Sequence, residues 1–86
     1  MWNIYILQCG DGTFYTGITE DLKKRIGKHN TGKGARYTRS RRPVTLVYFE
    51  ECASNLDAIK REIDIKKLGH INKKLLIKRW VLPRHG

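Results

Sequence analysis

Two short apolar runs open the chain. Trp2 to Cys9 (WNIYILQC) mixes aromatic and β-branched residues and predicts a strand, as does Phe14 to Thr19 (FYTGIT). Gly10-Asp11-Gly12 between them is turn chemistry, so the pair predicts a hairpin. Thr19 is placed to cap a helix with Glu20 and Asp21 in its first turn, running to about Thr31 and stopping at Gly32. Gly32 to Arg42 predicts a basic loop. Pro43 then opens a third strand, Val44 to Glu50 (VTLVYFE). Ser54 or Asn55 caps a further helix to about Leu68, which Gly69 ends. Ile71 to Trp80 predicts a short last helix, followed by a tail around Pro83 that is expected to fray. The order is ββαβαα. The fold class is α+β, a small three-stranded antiparallel sheet flanked by helices, in one domain over residues 1–86 with its core at 2–80 and its tail at 81–86.

The hairpin register decides where the aromatic side chains point. A two-residue Asp11-Gly12 turn would put Tyr5 and Tyr15 on opposite faces. A three-residue Gly10-Asp11-Gly12 loop pairs Tyr5 with Gly17 and Leu7 with Tyr15, all on one face. Gly12 suits the left-handed position of that loop, and the three-residue reading, or a five-residue loop of the same parity, is preferred. Both phenols then point the same way, with Gly17 leaving space beside Tyr5.

Charge changes the picture. The chain carries 18 Lys+Arg against 8 Asp+Glu, a formal net charge of +10. Residues 23–42 hold nine of those bases and no acid, whereas residues 1–22 hold three acids and no base. Such a block repels itself and attracts a polyanion. It is interleaved with Gly, Thr, Ser and Tyr37, residue types that contact phosphates and stack on bases. Lys33, Arg36, Tyr37, Arg39, Arg41 and Arg42 are therefore candidate nucleic-acid contacts. A solvated surface or an acidic protein partner are the other readings of the block. No apolar run suits a membrane span, and the N-terminus lacks the basic start of a signal peptide. Cys9 and Cys52 make neither a disulfide framework nor a four-cysteine zinc site. They fit a reducing cytoplasm as ordinary strand residues.

Two features point to chemistry. On a helical wheel from Leu56, Asp57, Lys60, Arg61, Asp64 and Lys67 form a wet face, leaving Ala58, Ile59, Ile63 and Ile65 for the rest. Glu62 falls between Ile59 and Ala58. A carboxylate there must be paired, protonated or metal-bound. Lys66, one turn on, offers a simple ion pair, but a metal or catalytic role is preferred. In the first helix Leu22 and Ile26 form an inward stripe bordered by Arg25 and His29, four residues apart. No Ser-His-Asp, Cys-His, phosphate-loop or His-Glu-x-x-His spacing is present.

Two strand tyrosines, an Arg ten residues after the second, a His four later and a lone helix Glu together resemble the GIY-YIG nuclease superfamily. The motif halves stand here as Asn3-Ile4-Tyr5 and Tyr15-Thr16-Gly17. The segment Gly32-Lys33-Gly34-Ala35-Arg36-Tyr37-Thr38 and the chain length resemble its small stand-alone bacterial members, which are similar to excision-repair endonuclease subunits. The resemblance implies a phosphodiesterase acting on nucleic acid, DNA before RNA, with one Mg²⁺ or Mn²⁺ ion. It implies a catalytic group of Tyr5, Tyr15, Arg25 and His29 on one sheet face. Glu62 matches the metal-binding carboxylate, and Asn72 corresponds to a late family Asn. One tyrosine would take a proton from the attacking water, Arg25 would steady the phosphate and His29 would assist the base. A phenol serves as a base only if its pKa of about 10 is depressed, which Arg25, a metal and the basic loop are expected to do. The first Gly of the motif is Asn3, and Thr16 replaces its isoleucine. A monomeric, cytoplasmic or nucleoid-associated endonuclease is the expectation. A non-catalytic nucleic-acid-binding module on the same scaffold is the alternative.

Overall fold

A computed structural model describes the backbone of residues 1–85 and the side chains of residues 1–80. The elements are β1 (Trp2–Gln8), β2 (Phe14–Thr19), α1 (Leu22–Asn30), α2 (Arg36–Arg39), β3 (Thr45–Cys52), α3 (Asn55–Lys66) and α4 (His70–His85). The last helix, expected over Ile71 to Trp80 with a fraying tail, instead runs from His70 to His85, and residue 86 lies outside the described residues. The three strands form one antiparallel sheet in the order β2-β1-β3, flanked by helices as expected. Among the described residues no helix is long and apolar enough to cross a membrane.

The hairpin takes the three-residue loop. Tyr5 pairs with Gly17 and Leu7 with Tyr15. The Cys9 amide donates to Thr13 O at 2.8 Å, closing the loop. Gly12 has φ +86°, a conformation that a side chain resists.

Because β1 is central, its alternation supplies both cores. Ile4 and Ile6 point to one face, where they meet Tyr48, Ala58 and Ile65, with Trp80 against them. Tyr5, Leu7 and Cys9 point to the other, where they meet Val44, Leu22 and Ile26. So α1 lies on one face of the sheet, and α3 and α4 lie on the opposite one.

Three sequence expectations are corrected here. The cap of α1 is Asp21, whose carboxylate accepts from Lys24 N–H at 3.1 Å. Thr19 instead accepts from Asp21 N–H in a turn before the helix, so Glu20 and Asp21 lie outside the first turn. The segment expected as a basic loop contains the four-residue helix α2. On α3 the buried residues are Ala58 and Ile65, while Ile59 and Ile63 are 37% and 48% exposed. The small side chain of Ala58 lets the helix approach the sheet, which rotates the isoleucines at 59 and 63 outward.

A polar network fastens α3 to β3. Arg61 donates to both carboxylate oxygens of Glu50 at 2.9–3.2 Å, and the Tyr48 hydroxyl donates to the same carboxylate. Arg61, placed on the wet face by the wheel, is thereby half-buried. Burial pushes the Glu50 carboxyl up, but the Arg61 and Tyr48 hydrogen bonds outweigh it and hold the group below its ordinary value. Burial and the Glu50 carboxylate push Tyr48 up to about 12. A carboxyl depressed on folding stabilises the protein above its unfolded pKa, and that stability is lost as pH falls through the folded value. Glu50→Gln is therefore expected to flatten the acid side of the stability curve below about pH 4. Urea midpoints of both proteins from neutral to acid pH check this. Solvent screens the pair through the exposed part of Arg61, so about 1 kcal/mol is the expected difference at pH 7.

Candidate active site

The hairpin parity brings the two motif tyrosines together. The Tyr5 and Tyr15 ring centroids are 6.4 Å apart. Helix α1 lays His29 against both, with its ring centroid 6.0 Å from Tyr5 and 5.2 Å from Tyr15. Tyr5 Oη and His29 Nε2 are 3.0 Å apart, a hydrogen bond in a fully buried setting. The helical stripe that placed His29 at the border of the core understated it: the imidazole has no exposure at all.

Electrostatics at this pair differ from the expectation. Burial pushes the Tyr5 phenol above its ordinary value, and the nearby Tyr15 and Glu62 charges add to that. Arg25 opposes the rise without cancelling it. Cations on the protein alone thus leave Tyr5 a neutral phenol, because loss of solvent costs its anion more than one guanidinium returns. His29 moves the other way. Burial first, and the Arg25 charge second, lower its pKa, so the imidazole is neutral at neutral pH and carries a free lone pair.

Arg25, one turn before His29, is half-buried, and its Nε is buried with no hydrogen-bond partner. An unsatisfied buried donor costs about 1–3 kcal/mol, more if charged, so this guanidinium is set up to receive an anion. A cavity of about 170 Å³ lies beside it, lined by Thr19, Asp21, Lys24, Arg25 and Lys28. Its size and basic lining suit a phosphate.

Glu62 lies on α3, half-buried. Its charge is felt at the Tyr5 phenol, and its ion pair is with Lys66 Nζ at 3.3 Å. Tyr5, Tyr15, Arg25 and His29 form one group, and Glu62 lies near enough for its charge to act on Tyr5. Among the described residues no group of three or more His, Cys, Asp or Glu gathers to hold a metal. One carboxylate with a displaceable lysine fits a Mg²⁺ ion that keeps its waters and takes its other ligands from a substrate phosphate. It does not fit a closed protein cage. Asn72 lies on α4, lining a cavity of about 230 Å³ with Leu68, Leu75, Leu76 and Arg79.

The basic segment divides into two kinds of residue. Lys33, Arg36 and Arg39 are exposed. Arg41 and Arg42 are engaged within the protein. Arg41 pairs with Asp11 at 3.1 Å, donates to Tyr37 O at 2.8 Å and sits 3.9 Å over the Tyr37 ring. Arg42 donates to Arg39 O at 3.0 Å and Asn30 O at 3.4 Å. Tyr37 in turn stacks on Tyr15 with centroids 6.1 Å apart, so the basic segment is attached to the tyrosine hollow itself. Asn30 completes the anchorage. It accepts from Val44 N–H at 2.7 Å and donates to Val44 O at 3.1 Å.

The sequence reading counted Thr38 among the phosphate-contacting residue types of the basic block, whereas the structure buries it fully against His29, and that reading passed over Asn30. Neither stands in a pattern that separates it from an ordinary loop or helix-end residue.

Comparison with known proteins gives a consistent picture. Residues 1–74 match the family described as the GIY-YIG catalytic domain. A UPF0213 protein of Desulfotalea psychrophila is 56% identical over 78 residues, covering 90% of this chain and 71% of that protein. A UPF0213 protein of Halobacterium salinarum is 46% identical over 76 residues, covering 88% of this chain and 99% of its own. The solution NMR structure of a UPF0213 protein from Bacillus halodurans superposes with a TM-score of 0.58 at 43% identity, covering 91% of this chain and 84% of that one.

Proposed function

Because the chain belongs to the GIY-YIG catalytic domain family, we propose that it is a metal-dependent endonuclease hydrolysing phosphodiester bonds in nucleic acid, DNA in preference to RNA. The reading extends to a monomer with one Mg²⁺ or Mn²⁺ ion, working in the cytoplasm on nucleoid DNA or its repair intermediates. The observation that carries the reading is the unsatisfied Arg25 Nε beside a bonded Tyr5–His29 pair. An anion receptor next to a neutral acid–base couple is what phosphodiester hydrolysis requires.

The chemistry follows from the charges. Tyr5 is a phenol and His29 a neutral imidazole, so neither starts as a charged base. Tyr5 takes a proton from the attacking water as its own proton passes to His29 Nε2. The water oxygen bonds to phosphorus in line with the sugar oxygen, which leaves with its bonding pair and is protonated by solvent. Arg25 donates to a phosphoryl oxygen as charge builds there. Tyr15 walls the hollow and stacks on Tyr37. A divalent ion on Glu62 supplies further charge neutralisation at the phosphate when bound. Lys33, Arg36 and Arg39 hold the flanking backbone without reading sequence.

A panel of labelled single-stranded, duplex and branched DNA and RNA, with Mg²⁺ or EDTA, tests the proposal. Wild type is expected to cut DNA only with the metal, and Glu62→Ala to abolish cutting while binding persists. Binding without cutting in wild type would establish the alternative, a binding module on the same scaffold. Cutting that survives both EDTA and Glu62→Ala would defeat the metal reading.

A further inference from the structure

We propose that Thr38 is a positioning residue that sets the His29 imidazole with its proton on Nδ1, leaving the Nε2 lone pair facing Tyr5. The kinetic consequence rests on the nuclease reading above; the assignment of the ring does not.

The geometry is a chain of short contacts inside the protein. Tyr5 Oη lies 3.0 Å from His29 Nε2. His29 Nδ1 lies 2.7 Å from Thr38 Oγ1. The Thr38 hydroxyl donates to Ala35 O at 3.0 Å, since a carbonyl only accepts. With its single proton spent there, Thr38 Oγ1 receives a proton from Nδ1. The other ring nitrogen is then bare and accepts from the Tyr5 hydroxyl. In this arrangement the Tyr5 hydroxyl, the ring Nδ1–H and the Thr38 hydroxyl each have one acceptor, and the 3.4 Å contact from the Ala35 amide to Nδ1 is given up.

The opposite arrangement places the proton on Nε2. The Ala35 amide favours it, approaching Nδ1 at 3.4 Å. That arrangement asks one in-plane lone pair to accept from Ala35 N–H and from Thr38 O–H together. It also deprives the buried Tyr5 proton of its acceptor. Between a long, part-buried amide contact and an orphaned hydroxyl at 1% exposure, the second defect costs more.

The enclosure is built for this. Thr38 and His29 both have zero exposure. Gly34 closes over the ring so tightly that a Cβ there would come within 2.7 Å of His29 Cγ. The four-residue helix α2, invisible to helical periodicity, is what carries Thr38 inward. Its exposed neighbours Arg36 and Arg39 face solvent, so one short element joins the basic surface to the proton-accepting ring.

Long-range proton–nitrogen correlation spectra of the His29 imidazole in ¹⁵N-labelled protein read the protonated nitrogen directly. Wild type is expected to show a protonated Nδ1 and a bare Nε2. Thr38→Ser, which keeps the hydroxyl, is expected to keep that pattern. Thr38→Val keeps the shape and removes the acceptor, so the Ala35 amide takes the Nδ1 lone pair and the proton moves to Nε2. A protonated Nε2 in wild type overturns the proposal, as does an unchanged pattern in Thr38→Val. If Thr38→Val fails to fold, the wild-type and Thr38→Ser spectra decide alone. In cleavage assays Thr38→Val is expected to lower kcat by about tenfold or more at little cost in KM, with Thr38→Ser restoring most of it. Absence of cleavage in wild type would count against the nuclease reading and leave the spectra to judge Thr38.

Discussion

Tyr5→Phe is expected to reduce nucleic-acid cleavage by about 10²- to 10⁴-fold, the span of a lost acid–base group, while the protein stays folded. The ring belongs to the core that Leu7, Cys9 and Val44 form, and phenylalanine keeps that packing. What disappears is one hydroxyl and its 3.0 Å bond to His29. Stability should fall by about 1–3 kcal/mol, because the buried Nε2 is left without a partner. Binding, carried by Arg25 and the exposed cations, should change little, so the loss should lie in kcat. The pH profile of wild type adds a second readout. The proposed reaction needs neutral His29, whose neighbours are Tyr5, Tyr15, Thr38 and the charged Arg25. Burial and Arg25 lower its pKa, so activity should fall as pH drops through a midpoint below the ordinary imidazole value of about 6.5. An acid midpoint above that value, or a Tyr5→Phe enzyme within about threefold of wild type, would remove the pair from the chemistry.

How far the sequence exposes this site depends on the range of the interaction involved. The hairpin parity is local. Three loop residues, Gly10 to Gly12, determine which face each later residue occupies, so Tyr5, Gly17 and Tyr15 could be placed together from the chain alone. The α1 stripe is also local, and it puts Arg25 and His29 on one side. Helix α3 is different. Leu56, Ile59, Ile63 and Ile65 spread apolar groups around much of its surface, so periodicity does not choose a buried face. The choice is made by Ala58 and by the Glu50–Arg61 pair, both of which depend on β3 being alongside. The same holds for the phenol. Counting cations near Tyr5 predicts a depressed pKa, whereas burial by the folded chain reverses the sign. Thr38 and Asn30 act wholly through tertiary contacts and carry no local signature. The glycine opposite Tyr5 is the one position where a local rule and a tertiary requirement coincide.

That position yields the last test. Gly17→Ala is expected to lower stability by about 1–3 kcal/mol, the usual cost of overfilling a packed site, and to depress cleavage about as far as Tyr5→Phe does. Gly17 does not have a positive φ, so backbone strain plays no part. The effect is steric. A Cβ there would lie 2.5 Å from Tyr5 Oη, 2.7 Å from its Cζ and 3.2 Å from Tyr15 Cε2. Tyr5 has nowhere to retreat, being 1% exposed and bonded to His29. The new methyl must therefore push the phenol off the imidazole or spread β2 from β1. Gly27 is the control. It lies inside α1, with nothing within 4 Å of where its Cβ would stand. Gly27→Ala should stabilise the protein by about 0.5–1 kcal/mol through helix propensity and leave cleavage unchanged. For a domain this small, thermal melts would resolve the two substitutions as opposite shifts of about 4–8 °C per kcal/mol. Equal activity in Gly17→Ala and wild type would mean that the phenol is free to move without consequence, which a proton relay through its hydroxyl forbids.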